Sequence, residues 1–236
     1  MKTSVLALVG LASIASFVVG CAEDTKVPDF TEKGQTPEVP AEEPLAYAPG
    51  PYGISKGSTI PNLKFYGLHD PSEYPQEPAS IPALEPIELA EFYNPDGNGT
   101  FPIDGEYRPG EAKPTVLWID VSAQWCGPCQ TESKEVLPVD YAKYHDKGLE
   151  IIIELIEDTK GNEAIAKNLW QWTTKYKTAW PAVIDPTRQV DSFFVQSAYP
   201  TNILIDTKTM KIVYVLAGAA GPGHPFYTTL EKLLKP

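Results

Sequence analysis

Cysteine is scarce in this sequence. Its 236 residues include three cysteines, three histidines and two methionines. A structural zinc site needs four ligands, usually a second pair of Cys or His beside the first. Only Cys126 and Cys129 lie close together, and His69, His145 and His224 are scattered, so the sequence argues against a metal. Basic residues are also few: 19 Lys and Arg stand against 31 Asp and Glu, a net charge of −12. Binding to phosphate backbones needs clustered cations, so nucleic acid is disfavoured as a partner, and the acidic surface reads as a device for solubility. Long apolar runs are missing apart from one. Residues Ser4 to Val19 carry no charge and follow Lys2. This run is short for a membrane span and sits at the start of the chain, as a signal peptide over residues 1–20 would.

The apolar run ends in Val18-Val19-Gly20-Cys21. This resembles the lipobox of bacterial lipoproteins, which implies cleavage before Cys21 and its lipidation. Each buried CH₂ contributes about 0.8 kcal/mol, so two acyl chains would anchor the protein stably to a membrane. Ala22 rather than Asp follows Cys21. By resemblance to lipoprotein sorting rules this implies the outer membrane, facing the periplasm, and hence a place in the cell envelope. Residues 21–50 are rich in Pro and Glu and lack periodicity, which predicts a disordered tether. Sixteen of the 24 prolines lie between Pro28 and Pro114. Residues 51–114 should therefore be an irregular N-terminal part of the domain, with short strands and turns. Ser58–Gly67 suggests one short strand, and Ile87–Tyr93 a helical turn or two.

Asn94, Asp96, Asn98 and Gly99 match positions 1, 3, 5 and 6 of a calcium loop. Position 12 is Gly105, however; Glu106 comes one residue late, and Pro102 interrupts. An Asn/Asp/Gly-rich turn is the commoner source of such a stretch.

From Thr115 a regular pattern begins, and residues 115–236 form the expected core. Thr115–Val121 and Leu149–Ile156 are nearly continuous apolar runs, as in strands buried on both faces. A helix is predicted from about Pro128 to Lys147, kinked by Pro138. In Asn162–Tyr176, residues Ile165, Leu169, Trp172 and Tyr176 share one helical face, and Trp170 points elsewhere. A short strand at Pro181–Asp185, a short helix at Arg188–Val195, a hairpin of Thr201–Asp206 with Lys211–Ala217, and a closing helix Pro225–Lys235 complete the order. Strand–helix–strand units imply an α/β fold with a central mixed sheet flanked by helices.

The cysteine pair sits where a buried strand passes into a helix. Two residues between cysteines close too short a loop to constrain an unfolded chain, so a structural disulfide would contribute little. A helix N-terminus favours negative charge, so Cys126 should ionise readily, and the thiolate is the attacking species. Cys129, one turn on, can attack a mixed disulfide. Gly127 permits close backbone approach, and Pro128 suits the first helical turn.

Trp125-Cys126-Gly127-Pro128-Cys129 resembles the active site of thioredoxins. That resemblance implies a thioredoxin-like fold and a thiol–disulfide oxidoreductase that needs no bound cofactor beyond its Cys126–Cys129 disulfide. Asp120 takes the place of the buried Asp implicated in accepting the proton of the second Cys. Ala198–Asp206 resembles the cis-proline segment, with Tyr199 and Pro200, alongside Trp125, Gly127 and Pro128, shaping a groove for a substrate peptide. Cys-Gln-Thr-Glu, ending at Glu132, and the stretch Glu157–Pro200 are similar to the TlpA-like and redoxin branch. Plain thioredoxin has a Lys in the next strand, where Glu154 falls here. The partners implied are dithiols or disulfides of exported proteins and a membrane electron donor. A peroxiredoxin-like peroxidase is the rival enzyme, although Ser122 lies four residues ahead of Cys126 instead of a Thr three ahead. A non-catalytic interaction lipoprotein is the other alternative.

Overall fold

The structure is a computed structural model that describes residues 45–75, 81–190 and 198–234. The expected signal peptide, Cys21, most of the tether and most of the short helix at Arg188–Val195 lie outside the described residues. A seven-stranded mixed sheet organises the rest, in the order β2-β1-β5-β4-β3-β6-β7. Its strands are β1 (Lys64–Leu68), β2 (Glu85–Glu88), β3 (Val116–Ala123), β4 (Leu149–Glu157), β5 (Ala182–Ile184), β6 (Thr201–Asp206) and β7 (Lys211–Ala217). The centre is parallel, β3 with β4 and β4 with β5, while β6, β7, β1 and β2 pair antiparallel. Every residue of β3 is buried, Asp120 and Ser122 included, as a nearly continuous apolar run in a central strand predicts. Among the described residues no helix is long and apolar enough to cross a membrane.

The helical run after the cysteines is interrupted rather than simply kinked. Helix α1 (Gly127–Thr131) leads into a π turn (Glu132–Val136), then α2 (Leu137–Tyr144) and a 3-10 turn ending at Gly148. Pro138 has no N–H to donate back along the helix, and the widened turn directly before it absorbs the mismatch. Gly148 stops the run with φ of 101°, a left-handed conformation that suits glycine. Helices α3 (Ala166–Tyr176) and α4 (Pro225–Leu233) complete the fold.

One expectation needs correction. Ile87–Tyr93 is half strand: Ile87 and Glu88 pair with Phe65 and Lys64 in β1, and only Leu89–Phe92 turns helically. Trp170, set apart from the apolar stripe of α3, is nonetheless 1% exposed, and the 3-10 turn Pro71–Glu73 packs against α3.

The calcium-like stretch has ordinary turn chemistry. Asn94 is fully buried; its amide donates to the carbonyls of Lys113 and Pro114, and its oxygen accepts from the Gly99 N–H. Asp96 accepts from the Asn98 N–H, an Asx turn. Each histidine is also engaged elsewhere: His69 with Glu85 and Glu91, His145 with Arg108, and His224 as the N-cap of α4.

Candidate functional site

Strand β3, in the middle of the sheet, delivers the cysteines to the end at which it finishes. Its last residues pass through Gln124, whose side chain exchanges hydrogen bonds with Asn168 of α3 and whose backbone N–H donates to the Glu157 carbonyl. The turn is thus pinned on both sides before the helix begins. Cys126 is the N-cap of α1, and its sulfur accepts from the Cys129 N–H at 3.1 Å. The two sulfurs are joined in a disulfide. Cys126 is 3% exposed and Cys129 is fully buried, whereas Trp125, Gly127 and Pro128 between and beside them are exposed. A partner therefore meets the pair from the side of that rim. Nothing lies within 4 Å of where a side chain on Gly127 would begin, so a second backbone can come close there.

Two other segments converge on the rim. The Tyr199–Pro200 peptide is cis, and the Pro200 carbonyl accepts from the Gly218 N–H at 2.7 Å. Tyr199 meets Trp125 edge to face, ring centres 5.8 Å apart. Trp125 is half exposed, and its indole N–H donates to Glu157 at 2.7 Å. A single aromatic side chain thus links the start of α1, the end of β4 and the turn before β6.

A buried polar network joins β3, the π turn that follows α1, and β6. Asp120 is fully buried in β3 and accepts from the Ser122 hydroxyl at 2.6 Å. Glu132, 1% exposed, is the carboxyl that lies beside Asp120 and interacts with it electrostatically. Glu132 is also held by the Asn202 amide at 3.2 Å, and Asn202 in turn accepts from the Trp118 indole at 2.5 Å. Burial pushes the Asp120 carboxyl up from its ordinary value. Burial first, and then the neighbouring Asp120, pushes Glu132 up to about 10. Two carboxyls side by side without water cannot both ionise, so the pair holds a proton at neutral pH. Cys129 and Glu132 are three residues apart on one helical run, and both face inward.

Two solved structures align along most of the chain. A candidate thiol:disulfide interchange protein DsbE from Chlorobium tepidum aligns over 78% of this chain and 100% of its own, with a TM-score of 0.54 and 17% identity. A candidate protein disulfide isomerase from Bacteroides thetaiotaomicron aligns over 78% of this chain and 93% of its own, with a TM-score of 0.52 and 15% identity. The fold is thioredoxin-like. No family model and no curated protein sequence matches the chain.

This thioredoxin-like arrangement brings Asp120, Trp125, Cys126, Gly127, Pro128, Cys129, Tyr199 and Pro200 to one end of the sheet. It does not bring Glu154 to Asp120. In the β3–β4 register Asp120 pairs with Ile153 and Glu154 with Val121, so the two carboxylates lie on opposite faces. The carboxyl beside Asp120 comes from Glu132 instead. Glu132, Asn202 and Glu157 were not read as site residues from the sequence. The spacing of Glu132 from Cys129 and of Asn202 from Pro200 was the available signal; for Glu157 there was none.

Proposed function

We propose that this protein is a thiol–disulfide oxidoreductase that exchanges disulfides with exported proteins through Cys126 and Cys129. The observation that carries the reading is a Cys-Gly-Pro-Cys disulfide whose first cysteine caps a helix, beside a half-exposed Trp125 and a cis Tyr199–Pro200 peptide. In the reducing direction, the Cys126 thiolate attacks one sulfur of a substrate disulfide and expels the other as a thiolate. The Cys129 thiol loses its proton to the Asp120–Glu132 pair and attacks Cys126. That step re-forms the Cys126–Cys129 disulfide and releases the second substrate thiol. The Cys129 N–H and the helix start hold the charge on Cys126, and no bound cofactor is needed. Trp125 and Tyr199 form one wall of the peptide groove, and the backbone around Pro200 offers an added-strand contact.

The Gly-Pro pair between the cysteines matches thioredoxin, whose potential is about −270 mV, and this favours a reductant fed by a membrane electron donor. The leader and the Val-Val-Gly-Cys sequence support an envelope lipoprotein anchored through Cys21, with residues 22–50 holding the domain off the lipid surface. Insulin reduction with dithiothreitol tests the activity. Turnover should vanish in Cys126→Ser, and Cys129→Ser should accumulate a covalent adduct with its partner. Consumption of peroxide without insulin reduction would instead favour a peroxidase. Thiols inert to both would leave a binding module.

A further inference from the structure

The pair of helices on the Asp120 face of the sheet leaves an open groove of about 500 Å³ between α2 and the stretch from Ala220 into α4. Its walls combine apolar surface with carboxylates. Val139 of α2 is 63% exposed, an isopropyl group that folding does not cover. Opposite it, Tyr227 of α4 donates its hydroxyl to Asp140 at 2.8 Å. Glu231 accepts from Tyr144 at 2.6 Å and lies 3.4 Å from Lys143. Three carboxylates, on Glu135, Asp140 and Glu231, line the groove with the ammonium of Lys143, and Lys134 forms a solvent-exposed pair with Glu135 at 3.3 Å.

The groove starts close in the chain to the disulfide site. One wall begins at Glu135, in the π turn three residues beyond Glu132, and the other begins at Ala220, two residues beyond the Gly218 that bonds the Pro200 carbonyl. Glu132 and the Gly218 carbonyl both accept from the same Asn202 amide, at 3.2 Å each. A polypeptide laid across Trp125 and Pro200 would reach this channel with the residues that flank its reacting cysteine. Lys and Arg match the walls best: an aliphatic stem lies along an apolar side chain and an aromatic ring while the charged head reaches a carboxylate.

We propose that the α2–α4 groove docks the segment flanking the partner's reacting cysteine and selects lysine or arginine there. This rests on the disulfide-exchange reading above. Two synthetic peptides test it, each with one cysteine held as a mixed disulfide with a chromogenic aromatic thiol. One carries lysines at the flanking positions and the other glutamates. Release of the chromogenic thiol by the reduced full-length protein gives the second-order rate constant. At low salt the lysine peptide should react about tenfold faster, and added salt should shrink the difference. Charge reversal at Glu135→Lys with Glu231→Lys should abolish the preference. Both side chains are about half exposed or more, at 60% and 48%, so the fold should tolerate the change. Reversal at the exposed Glu106→Lys with Glu111→Lys alters the net charge equally and should leave the preference intact. A small chromogenic disulfide without peptide should react at the same rate with all three proteins. Equal rates for the two peptides, or a preference lost equally in both charge reversals, would overturn the groove. Failure to react with any disulfide would overturn the exchange reading itself.

Discussion

Glu132 is the residue in which burial and charge conflict most sharply. Its folded pKa lies near 10, far above that of an exposed carboxyl, because it is desolvated and faces Asp120. A raised carboxyl pKa contributes stability below the unfolded value of about 4.3, and that contribution is lost as pH rises towards the folded value. Glu132→Gln should therefore melt higher than the parent at pH 9 by several degrees, and by much less at pH 5, in thermal scans. Under the proposed mechanism the same substitution removes half of the carboxyl pair that takes the Cys129 proton. Resolution of a mixed disulfide, followed by stopped flow, should slow by about tenfold or more. Asp120 was legible in the sequence from its spacing ahead of Cys126. Its pairing with Glu132 was not, since it depends on how α1 is set over β3.

Among the elements, the strands were the most legible and the N-terminal segment the least. The apolar runs of β3 and β4 exceed what a half-exposed strand carries, so their central place followed directly. Strand β2 was harder, because Pro86 and the Leu-Ala-Glu-Phe that follows carry no alternation. Pairing with β1 makes Ile87 a strand residue, which is a tertiary effect overriding local preference. The join between β1 and β5 is equally unforgiving. A side chain on Gly67 would begin 2.1 Å from the Ala182 carbonyl, closer than any contact permits. Gly67→Ala should destabilise the protein by about 1–3 kcal/mol in urea unfolding, with β1 pushed off β5. Helix α3 illustrates the converse. Its periodicity located one apolar face correctly, yet Trp170 on another face is covered by a turn nearly a hundred residues earlier in the chain.

At the scale of the whole molecule, the N-terminal segment is joined to the core through charged and aromatic groups. His69 lies between Glu85 and Glu91, 2.7 Å from each, and stacks on Tyr107. Tyr107 and Arg108 both reach the buried Glu150 of β4, at 2.8 and 3.1 Å, and Arg108 also bonds Tyr141 and His145. Burial lowers the His69 pKa, but the two carboxylates outweigh it and raise the value to about 9. A raised histidine pKa contributes stability that is complete below the unfolded value of about 6.5 and disappears as pH passes the folded value. The melting temperature should thus fall between pH 7 and pH 10, and His69→Gln should flatten that slope while lowering stability at pH 7.

By itself the sequence determined the core of the fold and pointed to a redox reading of the cysteine pair. Two cysteines at a strand-to-helix passage, apolar runs of strand length and a proline after Tyr199 are local features, and each narrows the choice of structure without reference to distant residues. Only the tertiary structure decided which carboxyl faces Asp120, which residue holds Trp125, how the first strands join the sheet and where a groove opens between helices. Those outcomes depend on register, helix rotation and coverage. They arise when segments far apart in the chain exclude water from the same place, and no short window of sequence records that meeting.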